Sequence, residues 1–517
     1  MTTVGTYFMY VRLLYMSLIK KMSRIIILLI ILSTVTAQAQ VPDSAVVERS
    51  SLWRATEQAA WINPAIHKDA FRHSRTEIGV SLSQRNESKP FTPELGDGHT
   101  LPSVEVNTFL RLSERTSVWG SAAYMNGTVR NIKWNSTSDY EKLKPYILAD
   151  TIGGDTKKEG YYFTGAYATE LNKFALGAEL LFSAEHEYRD RDPRMRGITT
   201  DLTMRAGVAR EIARHKLGLS IEGNIYKQTN NVDFYNELGV STEYQMTGLG
   251  TYYARFSGDK RRLYFNGGGL SIAASALPVS GNGLYADILL RQRRYHRVLA
   301  DYNSMPLTDI YDEHIAANVG WKRSANSRTA LFLHAEHTRR SGDERIGGKS
   351  EVNSYPTIGK LTMYKSRFTD LHAGAIYGRK TWNTQLNLGY VSQEEQYAYP
   401  KRELSAAHLF ALAKGQIFLQ PGKATTLRID AQAAFYANID KKIDMPFADL
   451  SIPITDYVNH KYDFTKAGIT SFGAGIRADH KLKNPKYAVF AELNAATDIS
   501  AAHASRFLLN ISLGAAF

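Results

Sequence analysis

The chain has no cysteine among its 517 residues. This excludes a disulfide framework, a thiolate metal site and a lipidated N-terminal cysteine, so any attachment to a membrane must come from the fold itself. Long apolar runs are also missing. The unbroken run at 25–32 stops at eight residues, far short of the roughly 20 that a spanning helix needs. Catalytic signatures are absent too: there is no G-x-S-x-G, H-E-x-x-H, Walker-type loop or EF-hand string. No enzyme, no cofactor and no metal site is expected on these grounds. Charge of one sign is not concentrated anywhere. Basic residues are scattered rather than clustered, so there is no nucleic-acid footprint.

The first 40 residues read as a signal peptide. Lys20, Lys21 and Arg24 flank the short apolar run, and small residues lead to Ala37-Gln38-Ala39, a cleavage site of A-x-A type. Removing 1–40 leaves 59 basic residues against 50 acidic ones. That surplus suits contact with the phosphates of an anionic outer leaflet, with lipopolysaccharide as the expected lipid partner. Tyrosine dominates the aromatics, 30 against 21 Phe and 6 Trp, as suits a surface that is half wet at each edge of a membrane.

What the chain does contain is period-two alternation. In 173–185, Phe174, Leu176, Ala178, Leu180 and Phe182 share one face opposite Glu179 and Ser183. Leu202, Met204, Ala206 and Val208 oppose Asp201, Thr203 and Arg205, and Leu217, Leu219, Ile221 and Ile225 oppose Ser220, Glu222 and Asn224. The pattern recurs with Asp287 and Arg291, with Arg428 and Asp430, and with Glu492 on the polar faces. Such segments of about ten residues are the signature of a membrane barrel strand.

Connection length separates a barrel from a soluble sandwich. From Thr76 onward, long links at 85–102, 127–160, 185–197, 227–261, 293–312, 339–364 and 438–465 alternate with short ones at 113–116, 170–172, 210–215, 277–281, 324–326, 379–380 and 481–484. The links at 393–402, 416–423 and 497–504 are intermediate or fairly short. An all-β, transmembrane up-and-down antiparallel barrel with long extracellular loops and short periplasmic turns has this rhythm. The count is about 18 strands, in a range of 14–18, over residues 76–517. The last strand alternates Phe507, Leu509, Ile511, Leu513 and Ala515 and ends on Phe517. This resembles the C-terminal signal that outer-membrane barrels present to their insertion machinery. Trp119, Trp321 and Trp382 are expected in an aromatic girdle near the short turns, although the face of Trp119 is ambiguous.

Residues 41–75 precede the first strand and contain Asn63-Pro64-Ala65. This resembles the Asn-Pro-Ala element in the N-terminal hatch of fatty-acid-transporter-like barrels and would imply a small inward plug. The alternative is a periplasmic extension with a Pro-initiated turn. Two loop strings stand out, one with Trp134, Asp139, Tyr146 and Asp150 and one with Arg189 and Asp192. They could bind a sugar or peptide at the cell surface, or tie the loops together as ion pairs. These strings, with the Asn-Pro-Ala start, resemble an uncharacterised family of Bacteroidota outer-membrane β-barrel proteins, which implies fold and location but no substrate.

Three functional readings follow. The first is a pore or transporter for a small solute, with Glu179, Asp201, Arg205, Glu222, Asp287, Arg291, Arg428, Asp430 and Glu492 along its path; these charges could equally pair across the barrel and fill it. The second is a surface or scaffold barrel acting through its long loops. The third is a hydrolase on the barrel wall near His334, Glu336 and His337, for which the sequence supplies no partner serine.

Overall fold

A computed structural model describes residues 44–236, 238, 241–258, 261–349, 355–446, 448 and 453–517. The expected leader, 1–40, lies outside them.

Eighteen strands, named β1 to β18 in chain order, form one closed antiparallel sheet. They are β1 Arg75–Glu87, β2 Gly98–Arg111, β3 Thr116–Ile132, β4 Gly154–Leu171, β5 Phe174–Tyr188, β6 Arg194–Ile212, β7 His215–Asp233, β8 Arg261–Pro278 and β9 Gly283–Leu299. Then follow β10 Met305–Ser324, β11 Arg328–Gly347, β12 Thr357–Gly378, β13 Trp382–Tyr397, β14 Arg402–Gly422, β15 Thr425–Asp444, β16 Ile469–Lys481, β17 Ala488–Ser500 and β18 Ala504–Ala516. Each strand pairs with its sequence neighbours, and β18 returns to β1 with Val80 opposite Leu513. The terminal residue completes the seam: Thr76 N donates to Phe517 O at 2.7 Å, and Phe517 N donates to Thr76 O at 2.9 Å. Closure leaves no unpaired strand edge, a condition for β-structure inside a bilayer.

The alternation sorts as the sequence indicates. Leu219, Ile221, Leu270, Leu284, Leu333 and Leu513 point outward and are half or more exposed. The polar residues between them point in. A contiguous apolar belt of this kind is stable only against lipid. Trp321 lies on the outer face and Trp382 stacks edgewise on Tyr377 near the short turns. Trp119 corrects the girdle expectation: it turns inward and donates from Nε1 to Glu179 at 3.0 Å. Both faces of its strand are largely apolar, so periodicity could not place it.

At one end of the barrel all connections are short, from 172–173 to 482–487. At the other end three are long, 133–153, 234–260 and 445–468, but 189–193, 300–304, 398–401 and 501–503 are as tight as turns. The expected long links at 185–197 and 293–312 are therefore mostly strand. β12 has 22 residues, about twice the 9–11 a barrel strand needs to cross. Above the belt the outward side chains need not be apolar, so the alternation fades while the ladder hydrogen bonds continue.

Two bodies occupy the interior. At the short-turn end lie α1 (Ser44–Ser50), α2 (Ala55–Gln58) and α3 (Pro64–His67), joined by 3-10 turns. At the long-loop end, the 133–153 loop with α4 (Tyr140–Leu143) and residues 241–258 of the next long connection fold into the mouth. Their Leu143, Tyr146, Leu148 and Met246 pack on the inward Tyr226, Phe265, Tyr295, Ile310 and Tyr364 of the wall. The helix α5 (Pro453–Thr465) covers the same cluster through Tyr457 and Tyr462.

Candidate functional site: the occluded lumen

The Asn63-Pro64-Ala65 turn is built to start a helix. Asn63 Oδ1 accepts from Ala65 N at 2.9 Å and Pro64 occupies the first turn, so the side chain caps α3 and the ring costs no hydrogen bond. Asn63 Nδ2 meanwhile donates to Val208 O on β6 at 3.1 Å. The wall makes room with glycine. A Cβ at Gly177, Gly207 or Gly218, inward positions on β5, β6 and β7, would collide with the Asn63–Ile66 turn.

Polar bonds then fasten these helices around the ring. Ser117 Oγ on β3 donates to Lys68 O at 2.8 Å, and Lys68 Nζ meets Glu170 of β4 at 2.7 Å. Lys216 of β7 pairs with Asp69, and Lys322 of β10 with Glu57. Asn383 of β13 donates to Ser51 Oγ at 3.2 Å, and Gln416 of β14 donates to Ser50 O at 2.8 Å. Space remains beside the helices. A cavity of about 850 Å³ runs between the helices and the wall, bordered by Glu48, Trp53, Glu57, Asp69 and Lys216. A second of about 410 Å³ lies above Leu52, bordered by Lys414, Asp430, Gln432, Asn494 and Asn510.

His67 is one source of pH sensitivity in this body. It stacks on Trp61 (5.4 Å between centroids, 2° between planes) and touches Trp119 at 4.6 Å. Burial, helped by the positive Arg54 and Arg205, pushes its pKa from 6.5 down to about 4. The folded group resists protonation, so its contribution is complete above pH 6.5 and is lost as pH falls toward about 4. The docked helices are expected to become protease-sensitive over that window in wild type and to stay resistant in His67→Phe. Equal acid sensitivity of the two proteins would refute this.

The nine lumen residues named from sequence all sit on inward faces, and the register gathers most of them into two ladders. On β5–β9, Arg205 donates to Glu179 at 2.8 Å and to Glu222 at 2.7 Å, and Glu222 also takes Ser271 at 2.9 Å and Arg293 at 3.4 Å. Arg291 joins through Ser271 at 3.4 Å. On the opposite wall Arg428 bonds Asp430 at 2.6 Å and Glu492 at 2.8 Å. Arg477 extends that ladder to Glu492, Asp479 and Glu77, where Arg75 joins. The charges thus pair along neighbouring strands; direct pairing across the barrel is not how they are satisfied. Sequence reasoning missed Arg293, Arg477, Asp479, Glu77 and Arg75. Arg293 was within reach, sharing parity with Arg291.

Asp201 belongs to the upper body: it takes Lys142 of α4 at 2.8 Å. Asp287 accepts from Asn318 at 2.7 Å, and Asn318 in turn contacts His334. His334, Asp370 and His372 converge on the inner face, with one ligand-type atom from each within 4.8 Å of the others. The sequence, for which no metal site was expected, did not show this cluster because its members lie on two strands. The only available signal was that His334 and Glu336 share a face. His337 points outward and bonds Thr369 Oγ1 at 2.9 Å.

The loop residues singled out from sequence face inward. Asp150 is fully buried, accepting from Arg189 Nη1 at 2.7 Å and Ser136 Oγ at 2.6 Å. Tyr146 is also fully buried, against Tyr364. Trp134 packs on Tyr457 at 5.4 Å, Asp139 bridges to Lys142 at 2.9 Å, and Asp192 accepts from Asn236 N at 2.7 Å. Buried Glu243 adds a second carboxylate near Asp150, and burial with that charge pushes it up to about 8. Its neutral form is favoured, so the upper body is most stable below pH 4.5 with respect to this group and loses that stability as pH rises to about 8. Glu243→Gln is expected to raise the melting temperature at pH 9 and leave it unchanged at pH 4; a pH-independent effect would contradict the assignment.

Solved structures with a similar overall architecture are receptors. The ferric preacinetobactin receptor BauA of Acinetobacter baumannii is 9% identical, with a TM-score of 0.40, covering 85% of this chain and 80% of that one. The ferric enterobactin receptor PfeA of Pseudomonas aeruginosa is 9% identical, with a TM-score of 0.40 and coverage of 86% and 82%. The siderophore receptor PiuA of A. baumannii is 7% identical, with a TM-score of 0.39 and coverage of 86% and 82%. No curated protein matches the sequence. A family model does match, over residues 64–517, from the second residue of the Asn-Pro-Ala turn to the final phenylalanine. The chain belongs to that family, the family of unknown function DUF6850.

Proposed function

We propose that this protein is an outer-membrane transporter for a small polar solute, gated at its periplasmic end by the N-terminal helices. The observation that carries the proposal is the way those helices are held: by dispersed polar latches beside an 850 Å³ cavity, within a lumen whose charges are already paired. A filled structural core would exclude such space, and dispersed hydrogen bonds can be exchanged for water one at a time. The short turns then face the periplasm and the long loops the exterior. Lipopolysaccharide and the barrel-insertion machinery, reading the strand that ends at Phe517, are the partners this location implies. The proposal involves no catalytic step.

Single-channel conductance in a planar bilayer tests it. The mature protein is expected to be silent or nearly so, and the protein lacking 44–74 to conduct in openings limited by the upper body that still stands in the mouth. Silence in both would defeat the transporter reading. It would favour a surface-binding barrel, for which the exposed Tyr235, Leu238, Ile358 and Tyr399 at the long-loop end provide the supporting observation.

A further inference from the structure

We propose that the lumen face of β10–β12 holds a site for one divalent transition-metal ion, ligated by His334, Asp370 and His372 and closed by Glu336. The inference goes beyond transport and does not depend on it.

The register makes the cluster. His334 and His372 are direct partners across the β11–β12 ladder, and Glu336 and Asp370 are partners one step further on the same face. His372 Nδ1 and Asp370 Oδ1 are 2.8 Å apart. Two ligands on one ion with bonds of about 2.1 Å at near right angles are separated by about 3 Å, so this pair already has the spacing of a metal-binding edge. The His334 ring lies 4.6 Å from that of His372, tilted by 31°.

A chain of hydrogen bonds prepares His334. Asn318 Nδ2 donates to Asp287, so Asn318 Oδ1 is left to accept from His334 Nδ1 at 2.7 Å. That fixes the proton on Nδ1 and leaves Nε2 as the nitrogen with a free lone pair, the outer-shell orientation typical of ligating histidines. Glu336 Oε2 stands 3.8 Å from that Nε2, near enough to move onto a shared ion. Its other oxygen is 3.7 Å from His314 Nδ1 on β10, which adds a third imidazole at the edge of the cluster. The rings stay open to the lumen, with 19% of the His334 and 14% of the His372 side chain exposed. Two imidazoles with carboxylates favour Zn²⁺, Ni²⁺, Co²⁺ or Cu²⁺ over Ca²⁺ and Mg²⁺, which prefer all-oxygen shells.

The test is Co²⁺ titration of the full-length barrel in detergent, read by visible absorption and calorimetry. One equivalent is expected. Affinity should fall more than about tenfold in His372→Ala and in Asp370→Asn, while His337→Ala, altering the outward histidine of β11, should bind as wild type. A heat-dependent shift in gel mobility reports folding of each variant. X-ray absorption of the Ni²⁺-loaded wild type, which needs no variant, should show imidazole scattering. No Co²⁺ binding by the full-length protein, undiminished binding in both His372→Ala and Asp370→Asn, or a Ni²⁺ shell of oxygen alone would overturn the proposal.

Discussion

Replacing Gly207 by valine is expected to unseat the N-terminal helices and open the barrel to ions. Gly207 faces inward on β6, directly paired with Gly177 on β5. A Cβ there would overlap Asn63 Oδ1 and crowd Pro64. Asn63 cannot yield cheaply, because Oδ1 caps Ala65 and Nδ2 holds Val208 O. Overpacking of about 1–3 kcal/mol therefore adds to the loss of a cap worth about 1 kcal/mol. The barrel itself should tolerate the change, since valine favours strands and the ladder is untouched. Bilayer conductance near that of the protein lacking 44–74, together with protease cleavage within that segment, is the expected outcome. A variant that is silent and protease-resistant would show that the turn is not the seat of the plug.

The second large effect concerns the upper body. In Arg189→Met, Asp150 stays in a fully buried site without its ion-pair partner. Breaking a buried pair on one side costs roughly 3–5 kcal/mol. Asn135 O and Thr156 Oγ1 lose a donor as well. Rapid proteolysis within 133–153 and a lower melting temperature are expected. The double variant Asp150→Asn, Arg189→Met should recover part of the loss, because no uncompensated charge remains. If the double variant were as unstable as the sum of the singles, the coupling energy would be zero and the buried ion pair would not be the source of the loss.

The two inner bodies were read from sequence with unequal success. Asn63-Pro64-Ala65 could be recognised as a turn with hatch-like character, yet a periplasmic extension was the preferred reading. The glycines that receive it, at 177, 207 and 218, are scattered over three strands and carry no local pattern. The aromatic and acidic loop strings left two readings, a surface-binding motif or, as preferred, ion pairs that tie the loops together, and Arg189 with Asp150 is such a pair. The structure turns Tyr146 and Asp150 inward because Arg189 and Tyr364 complete them from other strands. Strand length was underestimated at the open end for a different reason: outside lipid, hydrogen bonding continues without the alternation that reveals it.

The sequence by itself determined the antiparallel barrel, a strand count of about 18 within 14–18, and, Trp119 apart, which of the alternating side chains face lipid or lumen. Those follow from a period of two and from connection length, both local properties of the chain. Only the tertiary structure decided what fills the lumen. Ladder register between strands distant in sequence brings Arg428 to Glu492 and His334 to His372, and loop closure brings Lys142 to Asp201. Such pairings depend on which strands become neighbours and at what offset, and no periodicity within a single segment encodes that.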